Sequence, residues 1–133
     1  MAHTNDTPYI TNFSQLDAQH RRILEIIDTL GHQLKTEDSH DNCITTCTML
    51  VNALRHHYDE EERLMLKHFY PDTENHIGQH MNYLLLFGKL LKQLQNHQLD
   101  SAQSTLVYMR SWLLDHTYNA DKKYADFIHS QSA

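Results

Sequence analysis

Residues 14–35 read SQLDAQHRRILEIIDTLGHQLK. Leu16, Ile23, Ile27, Leu30 and Leu34 recur at the period of one helical face, and His20 falls on the same stripe. A histidine aligned with leucines and isoleucines needs a reason, and the other stripes repeat the pattern. Ser14 followed by Asp17 predicts a capping box at the helix start. Ile44, Cys47, Val51, Leu54, Tyr58, Glu61, Met65 and His68 make a second stripe. Pro71 should end it, because the residue before a proline is pushed out of helical geometry. A third stripe carries His76 or Ile77, then His80, Leu84, Phe87, Leu91 and Leu94. A fourth carries Leu106, Met109, Leu113, His116, Tyr124 and Phe127, with Asp100 and Gln103 as its expected cap. Short polar links between long helices make sequential neighbours antiparallel. The expected fold is all-α, an antiparallel up-down-up-down four-helix bundle. It forms one domain over 1–133, with an arm at 1–13 and helices at roughly 14–35, 42–70, 73–95 and 101–129.

Composition narrows the function. Eleven Lys and Arg against 17 Asp and Glu give a net charge of −6, so neither nucleic acid nor anionic membrane is the expected partner. The longest apolar run, Leu84 to Phe87, stops at Gly88 and Lys89, far short of the ~20 residues of a membrane helix. The polar N-terminus lacks the apolar stretch of a secretory signal, and the expected location is the cytoplasm. Two cysteines, Cys43 and Cys47, are too few for a disulfide scaffold and read as buried thiols. Twelve histidines are the anomaly.

Those that interrupt apolar stripes share a level. His20 lies early in helix one, His57 and Glu61 late in helix two, His76 and His80 early in helix three, and His116 and Asp121 late in helix four. In an antiparallel bundle all four segments meet at one end, within roughly 5–20 Å of it at ~1.5 Å per residue. His76 and His80, at i and i+4, stack on one face, as do His57 and Glu61. Burying carboxylates and imidazoles without partners costs several kcal/mol each, and a metal supplies the missing charge. Five imidazoles and two carboxylates exceed one four-coordinate zinc. They suit two ions, with both carboxylates bridging and one solvent-derived bridge. The imidazoles then divide three and two, leaving one position open, and mixed imidazole–carboxylate ligation suits iron.

Several segments carry a resemblance. They are Leu16 to His20, His57 to Met65, Tyr70-Pro71 through His76 to His80, and Trp112 to His116 through Asp121 to Tyr124. Together they complete the pattern H…HxxxE…HxxxH…HxxxxD, and over residues 9–128 the chain resembles the hemerythrins, specifically the single-domain bacteriohemerythrins. The resemblance implies two non-haem iron ions, joined by carboxylate and oxo or hydroxo bridges, that bind dioxygen reversibly. By the same resemblance His76, His80 and His116 hold one iron, His20 and His57 hold the open one, and Glu61 and Asp121 bridge. The resemblance also implies that Tyr58, Trp112, Leu113 and Thr117 line the dioxygen pocket. The family usually has Phe at position 58, Ile at 117 and Gly at 12, where this chain has Tyr58, Thr117 and Asn12.

The function expected is therefore carriage, storage or buffering of dioxygen rather than enzymatic turnover. The alternatives are a diiron enzyme acting on peroxide or nitric oxide, for which the two extra hydroxyls are the motive, and a sensor module read by a partner protein. The remaining histidines, including His56, are read as surface residues. The acidic run Asp59 to Glu62 is read as a solvated face apart from Glu61, and Met65, Met81 and Met109 are read as core.

Overall fold

The computed structural model of the chain describes residues 11–131. Most of the expected arm at 1–13 lies outside them. Four helices, α1 (Ser14–Lys35), α2 (His40–Lys67), α3 (Thr73–Gln95) and α4 (Leu99–His116), run in sequence. A π turn at Thr117–Asp121 and helix α5 (Lys122–Gln131) extend α4 without a break. Each helix packs on its sequence neighbour and α1 also packs on α4, which closes the four-helix bundle. There is no strand among the described residues. No helix there is long and apolar enough to cross a membrane.

Three helices end in the same way, and none needs proline to do so. At the end of α2, Tyr70 N–H bonds the Met65 carbonyl at 3.0 Å and Phe69 N–H bonds Leu66 at 3.2 Å. This is a Schellman closure, with Phe69 in the left-handed region at φ +55°. Helix α2 therefore stops at Lys67, short of the expected 70. Glu37 (φ +54°) after α1 and His97 (φ +56°) after α3 occupy the equivalent left-handed position. Glycine is the residue that adopts this conformation without a Cβ penalty. Glu37→Gly and Phe69→Gly should each stabilise the chain by about 0.5–1 kcal/mol. Denaturant titration of the metal-free protein checks this, and a lower midpoint would contradict the left-handed closure.

The expected caps form differently. The α1 N-cap is Phe13, with no side-chain cap bond, so the Ser14–Asp17 box is absent. Asp17 instead turns back on the preceding segment, accepting from Thr11 N–H (3.2 Å), Thr11 hydroxyl (2.7 Å) and Asn12 N–H (3.1 Å). Asn12 sits at φ +59°, and asparagine is among the few non-glycine residues suited to that geometry. Helix α4 starts after Gln98 with no side-chain cap, two residues before the expected box at Asp100.

Ile23, Ile27, Leu30, Leu34, Leu50, Leu54, Leu90, Leu94 and Met109 form the centre of the main core. The stripe is turned slightly from the expected one. Tyr83 and Leu90 on α3 are fully buried, whereas Leu84 and Leu91 only flank the core, and Leu50 buries in place of Val51. Tyr83 can bury because its hydroxyl donates to the Met109 carbonyl at 2.9 Å. Met81, expected in the core, is exposed because it lies on the outer face of α3. Both cysteines are buried free thiols, and burial together with the neighbouring Cys43 pushes Cys47 up to about 12. A second, smaller apolar cluster of Leu16, Met65, Tyr70, Tyr124 and Ile128 covers one end of the bundle.

Candidate metal centre

Between the two apolar clusters lies a buried polar layer. His20 comes from α1, His57 and Glu61 from α2, His76 and His80 from α3, His116 from the end of α4, and Asp121 from the π turn. All seven are almost wholly buried. The π turn explains the five-residue spacing of the last pair. In a regular α-helix, residues five apart point about 140° away from each other. One widened turn absorbs the extra residue and sets His116 and Asp121 on the same side, with His116 Nε2 3.1 Å from Asp121 Oδ1.

The two carboxylates divide their oxygens between two groups of imidazoles. Glu61 Oε1 faces His80 Nε2 at 3.0 Å, and Asp121 Oδ1 faces His76 Nε2 at 3.0 Å as well as His116. Glu61 Oε2 lies 3.3 Å from His57 Nε2, and Asp121 Oδ2 lies 3.0 Å from His20 Nε2. Two sets of ligand atoms result, each within 4.8 Å. One is Glu61, Asp121, His76, His80 and His116; the other is Glu61, Asp121, His20 and His57.

The donor chemistry fits a pair of cations. Glu61 Oε1, Asp121 Oδ1 and His80 Nε2 are buried without a hydrogen bond despite the short distances between nitrogen and oxygen. His57 Nε2 and His20 Nε2 are 2.8 Å apart, and His116 Nε2 and His76 Nε2 are 3.2 Å apart. Close nitrogens and unaligned oxygens are what lone pairs aimed at a shared point produce. Without a cation, protons must supply the charge. Burial and the Glu61 charge would raise Asp121, yet its contacts with His116, His20 and His76 hold it below the usual carboxylate range. Burial would likewise raise Glu61, but the His57 charge and the His76 and His80 contacts hold it well below. Burial would lower His76; Asp121 and Glu61 outweigh it and raise His76 to about 9. His20 is raised against burial by the Asp121 bond and the nearby acidic charges.

The outer nitrogens fix which face of each ring looks inward. His57 Nδ1–H donates to Gln19 Oε1 (2.7 Å), His116 Nδ1–H to Gln79 Oε1 (2.9 Å) and His80 Nδ1–H to Glu62 Oε2 (2.9 Å). This leaves each Nε2 lone pair free for the interior. Sequence reasoning missed all three acceptors. A signal existed in the repeated Gln-His pair, Gln19-His20 and Gln79-His80, since a residue next to an inward one faces the neighbouring helix. The acidic run is also less solvated than expected, because Glu62 holds His80 and Glu60 accepts from Gln15, Gln19 and His56. Tyr124 donates to Glu61 Oε2 at 2.8 Å.

Around this layer the four expected pocket residues take distinct places. The Tyr58 ring stacks on His80 at 3.7 Å and 9°, with its hydroxyl buried and without a partner. Trp112 stacks on His116 and on Tyr83. Leu113 joins the main core, and the Thr117 hydroxyl donates to the Leu113 carbonyl at 2.8 Å. A groove of about 730 Å³ between α3 and the C-terminal helix reaches His76 and His116.

The family model of the hemerythrin HHE cation binding domain matches residues 11–128. A bacteriohemerythrin of Methylococcus capsulatus is 25% identical over 114 residues, 86% of each chain. One of the hemerythrin subunits of Sipunculus nudus is 24% identical over 123 residues, 92% of this chain and 91% of the relative. No solved structure matches significantly. With a family match over nearly the whole chain and two carboxylate–imidazole groups at its core, this protein belongs to the hemerythrin family.

Proposed function

We propose that the chain is a non-haem diiron protein that binds dioxygen reversibly, as a carrier, store or buffer rather than an enzyme. The observation that carries the proposal is the unequal division of donors. One group offers five side chains and the other four, with Glu61 and Asp121 common to both. His76, His80 and His116 would hold one iron, His20 and His57 the other, and the two carboxylates would bridge. The His20–His57 side would then have one protein donor fewer than the other, and a small ligand would bind there. A bound ferrous pair would supply the electrons for reversible dioxygen binding.

The chain's own residues hold and shield that position. Gln19 orients His57, and the main core below and the small cluster above exclude bulk water. Tyr58, Trp112, Leu113 and Thr117 are proposed as the wall around the ligand. Two irons per chain and a visible band that forms on mixing the reduced protein with dioxygen, and vanishes on removing it, are the expected results. Stopped-flow absorption and metal analysis measure both. A single tightly held zinc with no iron uptake would overturn the diiron reading, and irreversible oxidation on first mixing would overturn the carrier reading.

A diiron enzyme acting on peroxide or nitric oxide is the second reading, favoured by the Tyr58 hydroxyl. A buried hydroxyl without a partner costs about 1–3 kcal/mol, and the ring that carries this one stacks on His80. Thr117 adds less polarity, since its proton is engaged by Leu113. Tyr58→Phe should therefore slow the decay of the oxygenated form, whereas Thr117→Ile should change it little. Loss of the visible band at several pH values tests this, and equal decay with and without the phenol would remove Tyr58 from any proton route.

A further inference from the structure

The three histidines with a bonded outer nitrogen are not equivalent. His57 and His116 donate to neutral amides, Gln19 and Gln79, while His80 donates to the Glu62 carboxylate at 2.9 Å. Glu62 follows Glu61 on α2 and is turned about 100° from it, toward α3. The side chain is about 29% exposed, so water solvates the carboxylate while its Oε2 reaches the buried ring. A carboxylate on Nδ1–H draws the proton toward itself and makes Nε2 a stronger donor than an amide does. His80 lies in the five-donor group.

We propose that Glu62 is a positioning residue that makes the two metal positions electronically unequal. By charging the outer side of His80 it favours the higher oxidation state in the five-donor group over the His20–His57 side. The centre would then start each cycle with a built-in polarity, its more electron-rich end away from the position proposed for dioxygen. The inference rests on the diiron reading and adds to it a role for a residue outside the ligand set. Gln79 makes the comparison internal. It gives His116, in the same five-donor group, the neutral version of the same contact.

The test moves one carboxylate around the centre in the full chain. Glu62→Gln keeps a hydrogen-bond acceptor and removes the charge. It should raise the midpoint potential of the iron-loaded protein in spectroelectrochemical titration. It should also weaken zinc binding to the metal-free chain by roughly tenfold in chelator competition, the lower end for loss of such a contact. Gln79→Glu should lower the potential. The double variant Glu62→Gln/Gln79→Glu transfers the carboxylate from His80 to His116 within one group and should bring the potential back toward the native value. A purely structural role for Glu62 predicts no such rescue. An unchanged potential in Glu62→Gln, or a double variant no closer to native than the single, would overturn the proposal. Failure of the native chain to take up two irons would instead overturn the diiron reading.

Discussion

Replacing Asp121 or Glu61 with alanine should empty both halves of the centre, whereas His20→Ala should empty only one. Each carboxylate gives one oxygen to each imidazole group, so its removal deletes a donor from both. His20 contributes to the four-donor group alone. After dialysis, the two carboxylate variants should retain well under one iron per chain and His20→Ala about one. Equal retention in all three would contradict the shared role of the carboxylates. The metal-free fold should feel the same asymmetry. Breaking a buried ionic set by removing one partner costs about 3–5 kcal/mol. His20, His76 and His116 all face Asp121. Asp121→Asn separates the two effects, because it keeps the volume and part of the hydrogen bonding while removing the charge that raises His20 and His76.

Much of this centre was legible because its signals obey helical periods. His76 and His80, or His57 and Glu61, are four apart and meet on one face in any regular helix. Antiparallel order then brings four remote segments to one level. What stayed hidden depends on contacts between helices. Glu62 looked like part of a solvated acidic face because nothing local shows that α3 presents His80 Nδ1 to it. Met81 reads as core from its helical spacing, but the buried face of α3 runs through Tyr83 and Leu90 instead. The π turn was hidden as well, although its trace was the five-residue step from His116 to Asp121. The ends of α1, α2 and α3 gave no glycine to announce them, since Glu37, Phe69 and His97 take up the left-handed conformation.

The metal-free and metal-loaded chains should respond to pH in opposite directions. Asp121 and Glu61 have folded-state values below their ordinary ones, so their stabilisation is complete above about pH 4.5 and drains away progressively as the pH falls below it. His76 and His20 are raised, so their stabilisation is complete below about pH 6.5. It drains away as pH rises, through about 9 for His76. At 1.36 kcal/mol per pK unit, His76 alone accounts for a loss of the order of 3 kcal/mol across that window. The metal-free chain should therefore be most stable between about pH 4.5 and 6.5. Metal reverses the trend because it must displace the same protons. Its affinity rises with pH, and bound metal stabilises the fold in proportion to that affinity. Melting followed by circular dichroism at pH 6 and pH 8.5, with chelator or with iron, should give lines of opposite slope. A metal-free chain whose stability is flat or rising over that interval would show that protonated histidines do not balance the two buried carboxylates.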